Sequence, residues 1–262
     1  MKIKQIVFTI TFILFVVNHA IGQNTRLNTN NNIGWYNYFT TVKLTEKVGI
    51  HAEYQWRRNK VVSEWQQSLF RTGINYQLKP NVLARIGYAW VETWPYGAYS
   101  INSLGRDFTE HRIFEMLQLT NKEGCIDVSH RFMLEQRFVG KYSSNNVSSE
   151  DEYPLTNRFR YMLRLQAPLN GSSIKDNTPY FAIYDELLIG FGKNVNANIF
   201  DQNRIGVLLG YKFNNNLKIE GGYINQTLQF GRQINSQNVF QYNNGIILNL
   251  FYNFDLTKTP KE

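Results

Sequence analysis

Three arginines, Arg158, Arg160 and Arg164, occupy alternate positions between Thr156 and Gln166, and Phe159, Tyr161, Leu163 and Leu165 fill the positions between them. A period of two belongs to a β-strand, whose successive side chains point to opposite faces. The segment therefore has one guanidinium face and one apolar face. Guanidinium groups grip carboxylates and other planar anions through paired N–H donors. Along the chain the same polar parity collects Arg71, Arg85, Arg112, Arg131, Arg137, Arg158, Arg160, Arg164 and Arg204. The acids on that parity are Glu53, Glu110, Asp127, Glu135, Glu186 and Glu220. Nine arginines against six acids leave a positive excess on this face. Such a set can serve as a structural ladder of ion pairs or as a lining that selects anions.

Catalytic groupings are sparse. Beyond the leader the histidines are His51, His111 and His130, and Ser129 adjoins His130. Neighbouring strand residues face opposite sides, so Ser129 and His130 cannot form a nucleophile–base pair. His111 or His130 could meet Ser68 or another hydroxyl, although no spacing specifies it. No G-x-S-x-G, HExxH or calcium-loop pattern occurs, and the sequence implies neither a metal site nor a cofactor.

The elements that must position the charged set are a run of alternating segments parted by turn residues. The patterns predict strands at 33–44, 48–57, 64–78, 82–94, 109–120, 125–138, 156–168, 179–190, 202–213, 217–229 and 239–254. Glu115 and Asp185 interrupt the alternation and suggest a bulge or register change. Tight turns at 45–47, 79–81, 121–124 and 214–216 alternate with longer polar connections at 58–63, 95–108, 139–155, 191–201 and 230–238; the link 169–178 shares the short side by position. One end with short turns and the other with long loops is the pattern of a transmembrane β-barrel. The alternative is a soluble barrel with the apolar face inside, but that many strands would enclose an oversized apolar cavity. Tyr54, Trp56, Trp90, Trp94, Tyr211, Phe213, Tyr252 and Phe254 lie near strand ends on the apolar parity, as interfacial girdles require. The expectation is all-β: a single antiparallel transmembrane barrel of about twelve strands, with ten as the alternative, because single-chain bacterial barrels have even numbers. A twelfth crossing would come from residues 24–32 or from revising one strand.

Residues 1–22 read as a cleaved secretory signal, with Lys2 and Lys4 before the apolar run Ile6–Val17 and a small-residue site at Ala20-Ile21-Gly22. Residues 23–32 read as a loose polar segment, 33–254 as the barrel and 255–262 as a polar tail. Cys125 is the only cysteine, so the fold has no internal disulfide. The formal net charge of +8 invites a nucleic-acid reading. The cations are spread along strand faces rather than gathered in a patch, which argues against that partner.

Short motifs in a fixed order add a resemblance. They are Glu110-His111-Arg112, His130-Arg131, Glu135-Gln136-Arg137-Phe138, Arg158-Phe159-Arg160-Tyr161, Asp185-Glu186-Leu187, Gln202-Asn203-Arg204 and Glu220-Gly221-Gly222-Tyr223. From about residue 33 to 254 the chain resembles the family called domain of unknown function 2490. That resemblance implies an outer-membrane barrel of a Gram-negative bacterium and brings no substrate or catalytic residue. The expected partners are outer-membrane lipid and, through the C-terminal strand, the barrel-assembly machinery. The expected role is a structural or binding barrel, or a narrow anion-preferring pore; the alternative is a lipid-modifying enzyme at the interface.

Overall fold

The computed structural model describes residues 26–195 and 198–257; residues 1–25, which include the segment read as a signal, and residues 196–197 and 258–262 lie outside that range. Twelve strands follow in chain order: β1 (Arg26–Lys43), β2 (Val48–Asn59), β3 (Glu64–Lys79), β4 (Val82–Thr93), β5 (Phe108–Glu123), β6 (Ile126–Val139), β7 (Leu155–Pro168), β8 (Thr178–Phe191), β9 (Phe200–Lys212), β10 (Leu217–Ile234), β11 (Gln237–Tyr252) and β12 (Phe254–Asp255). No helix occurs among the described residues. Each strand from β1 to β10 pairs antiparallel with the next, and one sheet contains all twelve.

The wall closes between β1 and β11, which run parallel, in register from Arg26↔Asn238 to Phe39↔Phe251. Eleven long strands thus form the barrel. The two-residue β12 continues β11 past Asn253 and pairs with Val42 and Lys43. The count of twelve is therefore reached by an extension rather than by a twelfth crossing, and an odd wall must close with one parallel pair.

Residues 26–32 depart from the loose segment expected of them. They form the first part of β1, and Asn31 donates a side-chain hydrogen bond of 3.0 Å to Asn243 on β11. The expected long connection at 230–238 is also mostly strand. β10 and β11 continue to a two-residue turn, Asn235-Ser236, with φ of 50° and 60°. A turn with two left-handed residues matches the twist of a hairpin. Glu115 and Asp185 cause no bulge, because β5 and β8 keep register through them. Both point outward and accept hydrogen bonds, Glu115 from Gln136 at 3.3 Å and Asp185 from Asn203 at 2.5 Å. The irregularities fall at Arg57/Arg58, Gln77/Lys79, Leu188/Ile189 and Gln229/Gln233.

The apolar parity faces outward all the way round, with Ile50, Phe70, Ile86, Ile113, Phe159, Ile183, Leu209, Ile219 and Leu248 exposed. Rings cluster at both ends of this surface. Trp65 lies 4.7 Å from Trp94 at the long-loop end, and Tyr211 lies 4.7 Å from Phe213 at the short-turn end. The interior is filled. On the β8–β11 and β1 side, Ile33, Trp35, Tyr180, Leu208, Ile224 and Ile247 form an apolar cluster. Glycines on β9 make room for it. A Cβ on Gly210 would stand 2.2 Å from Tyr180, and one on Gly206 would stand 2.1 Å from Tyr184.

Candidate functional site

The other side of the interior holds the charges. Strands β2, β3, β5, β6 and β7 contribute charged residues of the inward parity, Glu186 of β8 and Asp201 and Arg204 of β9 join them, and the barrel brings them together. Glu135 on β6, fully buried, is the hub. It accepts from Arg158 Nε at 2.8 Å and from Arg160 Nη1 at 2.8 Å, with Arg71 and Arg112 at 3.7 and 3.8 Å. From this hub the pairs run outward. Arg71 reaches Glu53 at 2.6 Å, Arg112 reaches Glu110 at 2.7 Å, and Arg158 reaches Asp201 at 2.5 Å. Arg160 also bonds Glu186 at 2.6 Å, which Arg131 joins at 2.7 Å and Arg204 at 3.4 Å. Arg137 pairs with Glu110. Arg164 reaches over β8 and β9 to Glu220, which also accepts the Tyr180 hydroxyl at 2.7 Å and faces Lys218 at 3.6 Å.

A single lattice of ion pairs around Glu135 therefore includes most of the arginines and acids that the alternation places on one face, with Arg164, Glu220 and Lys218 as a separate group. Strand pairing predicts that Glu110, Arg112, Arg131, Glu135, Arg137, Arg158 and Arg160 lie close together; all but Arg131 meet around Glu135 and Glu110. Arg131 instead turns across β7 toward β8. Asp127 stands outside the lattice, at the short-turn end of β6 opposite Lys122 and Gln166. Arg85 also lacks a carboxylate within 4.0 Å among the described residues; its Nε donates to Asn75 at 2.5 Å.

Four interior groups fall outside the set read from the sequence. Arg57 shares the parity of Glu53 and could have been found by extending it. Lys218 shares the parity of Glu220 in the same way. His51 bonds Glu53 at 3.1 Å and stands 3.4 Å from Thr41 Oγ1, so it belongs to the lattice. Asp201 has the wrong parity relative to Gln202 and Arg204, and the bulge at Leu188/Ile189 turns it inward. No sequence signal marks that bulge.

Arg57 is a buried interior cation without an ion-pair partner among the described residues. It is 5% exposed, and no carboxylate lies within 4.0 Å of it among the described residues. Its Nε and Nη2 donate to Gln55 Oε1 and its Nη1 to Gln67 Oε1, while the guanidinium lies 3.9 Å from the Trp35 ring. It lines a cavity of ≈ 460 Å³ that opens at the long-loop end. A second cavity of ≈ 390 Å³, at the short-turn end, is lined by Arg85 together with Asn75, Lys43 and Asn253. Between the two lie the fully or nearly fully buried Glu135, Arg158, Phe114, Tyr180 and Glu220.

A model of the family DUF2490, described as a protein of unknown function, matches residues 32–237. The chain belongs to this family. Among curated proteins no sequence relative of this DUF2490 chain is found. A solved structure, the NanC porin in a rhombohedral crystal form, aligns with a TM-score of 0.46 at 12% identity, over 85% of this chain and 98% of that one.

The histidines on the outer face of this DUF2490 barrel are occupied. His111 Nδ1 pairs with the Tyr88 hydroxyl at 2.5 Å and His130 Nδ1 with the Tyr161 hydroxyl at 2.9 Å. The Ser68 hydroxyl bonds Tyr54 rather than a histidine. Neither outward histidine has a serine or threonine partner among the described residues, so the arrangement a hydrolase needs is not assembled there.

Proposed function

We propose that the protein is an outer-membrane β-barrel that binds small anions at its two mouths, with at most a narrow anion-preferring route between them. The apolar outer surface with ring clusters at both ends supports a lipid environment, since soluble monomers rarely expose apolar patches beyond a few hundred Å². Lipid and, through β11 and β12, the assembly machinery are the partners this reading requires.

One observation carries the anion reading. At mid-height ion pairs offset much of the charge, with Glu110, Glu135 and Glu186 each shared by two or more arginines. Arg57 and Arg85 line the two cavities with amide oxygens as partners and no carboxylate within 4.0 Å among the described residues, and in both linings the Arg and Lys side chains outnumber the acids, Glu110 and Asp201 in one and Glu46 and Asp255 in the other. An amide oxygen satisfies a donor without cancelling its charge, so each mouth keeps a net positive field that favours anions. The lattice between the mouths fills the lumen and stiffens the wall.

Planar-bilayer recording of the purified protein tests the reading. Small anion-preferring currents are expected, and Arg57→Gln together with Arg85→Gln should remove the preference. Large cation-selective currents would refute it. So would silence in the bilayer accompanied by failure of solution anions to bind.

A further inference from the structure

The loop-end cavity has two chemistries at two depths. Its deep part is polar, with Arg57, Arg204, Gln66 and Gln202. Toward the loops, where the lumen of a membrane barrel is ordinarily wet and polar, apolar side chains share the walls with polar ones such as Asn102, Lys141, Thr156 and Arg232. Phe108 on β5, Val139 on β6 and Leu228 on β10 carry the inward parity there. Ile101 and Leu104 of the β4–β5 loop join them. Part of this apolar surface packs against the loop itself, since Leu228 and Phe230 hold Tyr99 and Ile101. Phe108, Val139 and Leu104 are half-buried and lie outside that cluster.

The loop is held in place. Tyr96 is buried, and its hydroxyl accepts from Gln66 at 3.0 Å and from Asn243 at 3.2 Å. Arg232 donates to the Ser100 carbonyl at 2.6 Å. The loop's apolar side chains are therefore held in place on the wall of the cavity that Arg57 lines. Arg57 spends three of its five N–H donors on Gln55 and Gln67 and keeps two without a protein partner among the described residues. Two free donors on one guanidinium suit a planar anion.

We propose that this cavity binds an amphipathic carboxylate, with its head on Arg57 and its apolar body between Phe108, Val139 and Leu104. The proposal rests on the anion reading above and adds the chemical class. Its volume of ≈ 460 Å³ suits a small organic molecule. Apolar walls also exclude water from the ion pair, which strengthens it beyond what an exposed arginine offers.

Calorimetry on the full chain in lipid nanodiscs tests this with three probes: phenylacetate, the neutral 2-phenylethanol and the polar anion gluconate. Phenylacetate should bind at least about tenfold more tightly than gluconate, a difference of about 1.4 kcal/mol, and 2-phenylethanol should not bind. Arg57→Gln should weaken phenylacetate about tenfold or more, and Arg57→Lys, which keeps the charge and loses the fork, should fall between. Leu104→Ser, in a surface loop, should bring phenylacetate toward gluconate and leave gluconate unchanged. Equal binding of the two anions overturns the amphipathic class while the anion reading stands. Binding of 2-phenylethanol as strong as that of phenylacetate, or indifference of both anions to Arg57→Gln, overturns the anion reading as well.

Discussion

Arg158 on β7 stands directly opposite Glu135 on β6 and gives it two N–H groups, from Nε at 2.8 Å and Nη2 at 2.5 Å, with both side chains almost wholly buried. Glu135 also bonds Arg160, so its single negative charge is shared between two guanidiniums. Removing one partner of a buried pair leaves an uncompensated charge and costs about 3–5 kcal/mol. Glu135→Gln should therefore lower the temperature at which the barrel loses its compact mobility on detergent gels. Glu46→Gln, which breaks the exposed rim pair with Lys43, should leave that temperature unchanged. A Glu135→Gln barrel as heat-resistant as the wild type would show that the lattice is dispensable.

The Tyr184–Gly206 contact should behave as a tight fit. Gly206→Ala places a methyl group against the Tyr184 ring, and overpacking of a filled interior costs about 1–3 kcal/mol. Tyr184→Ala in the same chain should recover much of that loss. Unfolding measured on both single variants and on the double variant checks it. Additive losses would mean that the two positions do not interact.

The parallel seam predicts a specific cross-link. Tyr36 on β1 is in register with Leu248 on β11, and both face outward. Cysteines at these two positions, in a chain whose Cys125 is replaced by serine, should form a disulfide on mild oxidation because paired strands bring Cα atoms within bridging range. A pair offset by two residues, at Tyr36 and Leu250, should form it far less. Equal yields would contradict the register.

The end of β11 should matter for assembly. Tyr252 and Phe254 are outward rings 4.9 Å apart at the short-turn end. Replacing both by Asp puts charge at the lipid boundary, where apolar and ring side chains are expected. The expected result is a fall in folded barrel recovered from membranes. Wild-type recovery would remove this segment from the assembly step.

The sequence reveals most of the wall because each strand buries one face and exposes the other, so a period of two survives wherever both faces have distinct solvents. It fades where the strands extend past the apolar belt. Residues 26–32 carry one apolar side chain, Leu27, and 230–238 only Phe230 and Ile234, too few to show an alternation, yet hydrogen bonding to neighbouring strands still holds Arg26–Asn32 and most of the second segment in the sheet. The acid–base lattice is legible as composition along one face. Its connections are not, because Arg164–Glu220 and Arg131–Glu186 join strands that are not neighbours, and only wall curvature brings them together. Asp201 was hidden for a local reason, the bulge that reverses its parity.

Because β1 and β11 run in the same direction, the described chain starts at one rim of the cylinder and finishes at the other. A barrel closed antiparallel returns both ends to the same rim, where a tether on either end is confined to one compartment. Here a reporter fused ahead of Arg26 and another fused behind Asp255 would be held on opposite sides of the bilayer that the apolar belt fits. The molecule can be used as a through-connector, with a handle in each compartment and no extra crossing.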